Sequence, residues 1–466
     1  MRHFLLVVAL FTFLTSTSVL AKTVAFKASI LHFKSNPALA STLEDSYEYF
    51  QDGILIIKDG KVHKVGSASE LSTALKNIDV VDYSGKLIIP GFIDTHIHYP
   101  QTEMIAAFGE QLLDWLKKYT FPTEKQFADK AYAKKISNVF LHQMLSNGTT
   151  SALIFGTVHP QSVNVLFEQA YDKNMRIIAG KVMMDRNAPE YLQDTALSSY
   201  NDSKRLIKDW HNKGRLHYAI TPRFAPTSTP EQLEQAGKLK KEFPDTWVHT
   251  HLSENKGEIA WVKELFPDRK SYTDVYDFYN LTSSRSIFAH SIHLDDEEIQ
   301  TLAKTKSSIA FCPTSNLFLG SGLFKLKTAR EAGIRVGLGT DVGAGTSFSM
   351  LETLNEAYKI IQLQNQKFSA FEGFYLATLG GAESLSLDDS IGNFLNNKEA
   401  DFIVMDWAGT PFQEYRMSKA SSLHEKLFVL MMLGDNRNIH ATYVMGEEVF
   451  NRNMKHPVMD LINNQN

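Results

Sequence analysis

PGFIDTHIH, residues 90–98, is a short apolar run that closes on two histidines two positions apart. Alternate residues of a strand share a face, so on a strand His96 and His98 aim their imidazoles at one region of space. Barrel enzymes of parallel strands keep their active sites at the C-terminal strand ends, which is where this pair falls. A lone His-x-His pair also occurs by chance on surface strands, so its weight depends on the rest of the chain.

Outward from that run, residues 87–387 alternate short apolar stretches with longer stretches of helical period, the signal of repeated βα units. Eight runs read as strands: Phe92 to His98, Thr149 to Phe155, Arg176 to Met184, His217 to Arg223, Trp247 to Leu252, Ser286 to Ile292, Ser308 to Cys312 and Arg335 to Thr340. Eight parallel strands close into a (β/α)8 TIM barrel of the α/β class, expected over residues 89–390. The flanks differ. Gly53 to Lys58 and Lys61 to Val65, joined by the turn pair Asp59-Gly60, suggest a small antiparallel sheet, and Ala400 to Asp406 and Ala441 to Met445 repeat the pattern. Residues 22–88 and 391–466 are therefore expected to form one accessory β domain from both chain ends.

The chemistry-bearing residues gather at strand ends. His251 ends the fifth run, His290 lies in the sixth and Asp341 follows the eighth, so four strands offer imidazole or carboxylate at one rim. Nitrogen and oxygen ligands of this kind suit a divalent ion, zinc first, with iron or manganese as alternatives. Glu254, three residues beyond His251, is placed to shuttle a proton for a metal-activated water. The fourth run ends TPRFAP, residues 221–226, without a lysine that could bridge two ions once modified, so one metal is expected. Arg223 and Phe224 instead offer a guanidinium and an aromatic face to a substrate, although Arg223 in a structural ion pair is the competing reading.

Other features carry less. His249 and His293 share strand faces with His251 and His290 and are read as packed or hydrogen-bonded. His142, His159, His211, His424, His440 and His456 lack converging partners, which makes surface positions the default. Cys312 sits in an apolar run and packs rather than reacts. GLG, residues 337–339, lacks the following Lys-Ser or Lys-Thr of a phosphate loop, which argues against nucleotide binding.

Bulk properties bound the rest. An apolar fraction of 43% and a charged fraction of 21% over 466 residues are ordinary for a globular protein, which excludes collagen, disorder and coiled coil. A net charge of −4 provides no positive field for nucleic acid or an anionic membrane, so a small-molecule partner is expected. Arg2, the apolar run from Phe4 to Leu14 and the small residues Val19 and Ala21 read as a cleavable signal peptide over residues 1–21. The run is shorter than the ~20 residues of a spanning helix, so an exported protein without a stable membrane anchor is expected. Cys312 is the single cysteine, and an internal disulfide is excluded.

From the N-terminal sheet through Asn451 the chain resembles the amidohydrolase superfamily, and within it the guanine deaminase family. PGFIDTHIHYPQ around His96 and His98, DWLKKYTFPTE from Asp114, TPRFAPTS from Thr221, HTHLSEN from His249 and GTDVGAGTS from Gly339 carry the resemblance. YPQ, KYTFPTE and PRF are its selective parts. The resemblance implies His96, His98, His251 and Asp341 as metal ligands, with His290 beside them as a further ligand or a holder of the attacking water. It makes Glu254 the proton shuttle and Asp341 a second base, and it puts Gln101, Arg223 and Phe224 at a purine. The implied activity is hydrolytic deamination of guanine to xanthine, and the implied assembly is a homodimer. An export leader departs from the family, whose members are usually cytosolic. The alternatives are a deaminase of another amino-heterocycle, such as 8-oxoguanine, a pterin or a triazine, and a barrel that binds without catalysis.

Overall fold

Two sheets organise the computed structural model, which describes residues 22–109 and 111–454. The signal-peptide segment and His456 lie outside the described residues. The first sheet has seven strands in the order Glu447–Asn451, Ile439–Val444, Phe402–Met405, Asp79–Pro90, Thr23–Phe33, Tyr47–Lys58, Lys61–Ser67. It is mixed rather than antiparallel, because Thr23–Phe33 and Asp79–Pro90 pair in parallel. The reason lies in the connection: after the hairpin of Tyr47–Lys58 and Lys61–Ser67, the chain crosses through the helix Ala68–Leu71 and returns beside the first strand in the same direction. Asp79–Pro90 then meets Phe402–Met405 antiparallel, with Pro90 opposite Phe402, and two residues later the barrel begins.

The second sheet is the barrel. Its eight parallel strands run, in chain and spatial order, Phe92–His98, Thr149–Phe155, Arg176–Gly180, Leu216–Pro222, Trp247–Leu252, Ser286–His290, Ser308–Phe311 and Arg335–Leu338. The first two are buried at every residue, as expected of parallel strands covered on both faces. Closure between first and eighth strands uses Asp341 N–H to His96 O at 2.9 Å and His98 N–H to Val342 O at 2.9 Å instead of a continuous ladder. The GLG run serves this closure. A Cβ on Gly337 would lie 2.4 Å from Thr95 Cγ2, and one on Gly339 would lie 2.9 Å from His96 Cβ.

Several strands end before the sequence pattern does. The third stops at Gly180, and Val182–Met183 pairs separately with the fourth strand, because Lys181 turns inward to hydrogen-bond Val182 O and Asp194. The sixth stops at His290, where His290 and Ser291 take left-handed backbone with φ of 67° and 51°. The C-terminal part is not all sheet either. Its helices Pro411–Met417 and Leu423–Leu433 sit between strands, and the second packs on the barrel helices Met350–Leu363 and Ala370–Leu376, with Asn355 donating to Met432 O at 2.8 Å. Among the described residues no helix is long and apolar enough to cross a membrane.

Candidate active site

The C-terminal barrel rim gathers the ionisable residues of four strands. His96, His251, His290 and Asp341 each present one atom, all within 4.8 Å of one another. His98 belongs with them: its Nε2 lies 3.2 Å from His96 Nε2, 3.3 Å from His251 Nε2 and 3.3 Å from Asp341 Oδ1. Asp341 Oδ1 is also 3.1 Å from His96 Nε2. Asp341 reaches inward from a left-handed backbone, φ 51°, a region that Asp tolerates better than most non-glycine residues.

The far ring nitrogens are held from behind. His251 Nδ1–H donates to Arg223 O at 2.7 Å, His290 Nδ1–H donates to Asn316 Oδ1 at 2.9 Å, and His96 Nδ1 meets His249 Nε2 at 2.7 Å. These bonds fix the rings so that each Nε2 faces the cluster. Burial disfavours the charged form of four of the imidazoles, pushing His98 down to about 3, lowering His96, and holding His249 and His251 well below the usual histidine range. Burial alone would raise Asp341, but His96, His98 and His290 hold its carboxyl well below the carboxylate range. Neutral lone pairs thus converge on one another and on an anion, an arrangement a cation relieves. Ligands ~2.0–2.1 Å from a tetrahedral zinc are roughly 3.3 Å apart, which matches the separations of His98 from His96, His251 and Asp341 and of His96 from Asp341. The residues fit a single divalent ion.

Asp94 braces the same rim. Its Oδ1 accepts from His96 N and Thr340 N at 3.1 Å each and its other oxygen accepts from the Thr340 hydroxyl, tying Asp341's loop to the first strand. Glu254 stands beside the cluster, Oε2 3.4 Å from His290 Nε2, with Ser321 Oγ donating to Oε1 at 3.0 Å. Burial and the Asp341 charge push it up to about 8. His293 takes the hydrogen-bonded role expected of it by donating to Ser321 O at 2.8 Å.

A narrow cleft opens onto the cluster. Gln101, Arg223 and Phe224 line it, and Leu112, Trp115 and Leu319 supply an apolar wall. Arg223 holds both positions its sequence allowed: it faces the cleft, and its NH1 donates to Glu124 at 2.9 and 3.0 Å. Sequence reading assigned no role to Glu124, Asn316, Ser321 or the apolar wall. Glu124 lies in the DWLKKYTFPTE segment, where exposed Asp114, Lys117 and Lys118 alternate with buried residues, so nothing local sets this carboxylate apart as a buried one. The surface default fails for His142, His159, His211 and His440, which are half-buried, and holds for His424. Cys312 is fully buried and its thiol is pushed up by burial.

Comparisons with known proteins agree with this geometry. The amidohydrolase family profile matches residues 87–449. Guanine deaminase of Escherichia coli (strain K12) is 61% identical over 412 residues, 88% of this chain and 94% of the relative. The solved E. coli guanine deaminase superposes with a TM-score of 0.89 at 57% identity, covering 93% of this chain and all of the other. Guanine deaminase from C. acetobutylicum, solved with guanine bound in its active site, superposes with a TM-score of 0.84 at 32% identity over 92% of this chain and 100% of the other. The chain belongs to the amidohydrolase family, among its guanine deaminases.

Proposed function

We propose that the chain hydrolyses guanine at C2, using one zinc ion held by His96, His98, His251 and Asp341. The observation that carries this reading is a cluster of mutually facing neutral imidazoles and one carboxylate at the floor of a cleft whose walls offer Arg223 and Gln101 to a planar base. A divalent ion in such a site supplies Lewis acidity and brings the deprotonation of water toward neutral pH. Zinc is favoured over iron or manganese by the predominance of imidazole nitrogens at tetrahedral spacing.

The chain's own groups do the rest. Arg223 donates to the purine O6 from one side, Phe224 contributes an aromatic face, and Leu112 and Trp115 exclude water. Asp341 and His290, 3.7 Å apart, orient the attacking water at C2, and Asp341 also serves as a base toward it. Asp341 takes a proton from that water while Glu254, held protonated beside His290, gives its own to the C2 amine, so that the C2–N bond breaks, ammonia leaves with xanthine as the other product, and the proton on Asp341 passes back to Glu254. Adenine carries its amine at C6 and a donor where O6 would be, so it presents neither the leaving group nor the acceptor.

Ammonia release from guanine, 8-oxoguanine, adenine, cytosine and pterins tests the reading. Guanine is expected to turn over fastest and adenine hardly at all; a pterin or 8-oxoguanine ahead of guanine overturns the substrate assignment. Export is also proposed, from the leader pattern in residues 1–21, and a homodimer from the family resemblance. Light scattering reads the latter directly, twice the chain mass supporting it and a single chain mass removing it.

A further inference from the structure

Arg223 and Gln101 face the purine in the reading above, and Glu124 is the group that orients both. Glu124 is fully buried, at the end of the helical turn Phe121–Glu124. Its two carboxylate oxygens accept from Arg223 NH1 at 3.0 and 2.9 Å, and Oε1 also accepts from Gln101 Nε2 at 3.3 Å. Gln101 Oε1 in turn accepts Gly343 N–H at 3.2 Å. Phe121, one turn earlier, sets its ring 5.7 Å from the Arg223 guanidinium carbon. One short helical turn therefore grips Arg223 by charge and by face, and it continues the segment whose Leu112, Trp115 and Leu116 wall the cleft.

A carboxylate only accepts hydrogen bonds, so it dictates how its neighbours turn. Gln101 must present its NH2 to Glu124, which leaves its carbonyl oxygen to Gly343 and fixes an amide that could otherwise flip. Arg223 commits NH1 to Glu124, which leaves Nε and NH2 for the purine oxygen. The negative charge also balances a guanidinium that would otherwise be buried alone. We infer that Glu124 is a positioning residue for base recognition: it sets the donor edge of Arg223 and the amide sense of Gln101, and through them selects a 6-oxo purine. The inference rests on Arg223 pairing with the purine O6.

Guanine and 2-aminopurine separate the two roles, since both carry the amine on C2 and only guanine carries O6. kcat/KM for each is measured on the metal-loaded parent, Arg223→Met, Glu124→Gln and Glu124→Asp. The parent is expected to prefer guanine, and Arg223→Met to erase most of that preference. Glu124→Gln should lower the guanine to 2-aminopurine ratio by about 10-fold or more, chiefly through KM for guanine, with unchanged metal content. Glu124→Asp keeps the charge and should recover part of the ratio. If Glu124→Gln loses both substrates alike, or keeps the parental ratio while Arg223→Met collapses it, Glu124 does not position the base. Should Glu124→Gln fail to accumulate, Glu124→Asp decides alone, because a parental ratio there overturns the inference. A parental ratio in Arg223→Met would instead sink the O6 reading itself.

Discussion

Glu254 and Asp341 both face His290, yet their surroundings drive them apart. Burial and a neighbouring anion push Glu254 up to about 8, while three histidines hold Asp341 ionised. Paired groups forced to opposite protonation states divide acid and base work between them. Glu254→Gln should keep about one equivalent of divalent metal per chain while turnover falls by roughly 10²-fold or more, because only proton transfer is removed. His96→Ala should lose metal and activity together. Elemental analysis beside an ammonia assay distinguishes them, and near-normal turnover in Glu254→Gln would take that residue out of the mechanism. These positions were legible because each sits at or just past a strand end, where a one-dimensional pattern reports a three-dimensional rim. Asn316, Ser321 and Glu124 were not legible, since each meets a site residue 26, 67 or 99 positions away. No local period marks a contact of that kind.

Opposite the active-site rim, near where the third and fourth strands begin, a buried ionic network joins barrel to sheet. Glu399 accepts from Arg176 Nε at 2.7 Å and Arg215 Nε at 2.9 Å, and Arg215 NH2 also reaches Asp401 at 2.5 Å, directly before the strand Phe402–Met405. Arg215→Met would leave Glu399 and Asp401 short of a partner in the interior, and removing one member of such a set costs about 3–5 kcal/mol. The urea midpoint should fall accordingly; an unchanged midpoint would mean that water already reaches the network. His217 belongs to the same element, its Nδ1–H donating to Asn212 at 3.0 Å and its Nε2 accepting from Arg176 at 2.8 Å. Burial and the Arg176 charge push it down to about 3, from an ordinary 6.5. The unfolded chain therefore binds the extra proton between those values, and stability falls as pH drops from 6.5 toward 3, by at most about 1.4 kcal/mol per pH unit from this group. His217→Gln, which can still donate and accept at the same places, should flatten that part of the stability profile relative to the parent. Equal slopes would exclude the histidine as its source. Strand existence and order were legible from apolar runs at regular spacing. Strand ends were not, because Lys181 and the left-handed His290 interrupt the third and sixth strands for reasons of side-chain contact and backbone conformation that a hydrophobic pattern does not carry.

At the scale of the whole chain, export should remove residues 1–21 and leave Lys22 as the first residue, since Val19 and Ala21 fit the small-residue cleavage pattern. Intact mass of the exported protein checks it, and a full-length chain kept in the cytosol would overturn it. The meeting of the two chain ends in one sheet was legible as matching β patterns; the parallel pairing inside that sheet was not, since strand direction depends on the path of the connection. That meeting has a consequence for the order of events at the ribosome. Asp79–Pro90 needs Phe402–Met405 as its neighbour, and Pro90 and Phe402 are 312 positions apart. During synthesis the early strands must wait, with an unsatisfied hydrogen-bonding edge, until nearly the entire barrel has emerged. The histidine pair begins six residues after Pro90, so the floor of the active site is anchored only once the chain has been made as far as Phe402–Met405, within its last seventh or so. Incomplete chains should accordingly be sticky and catalytically silent, whatever the state of their finished strands.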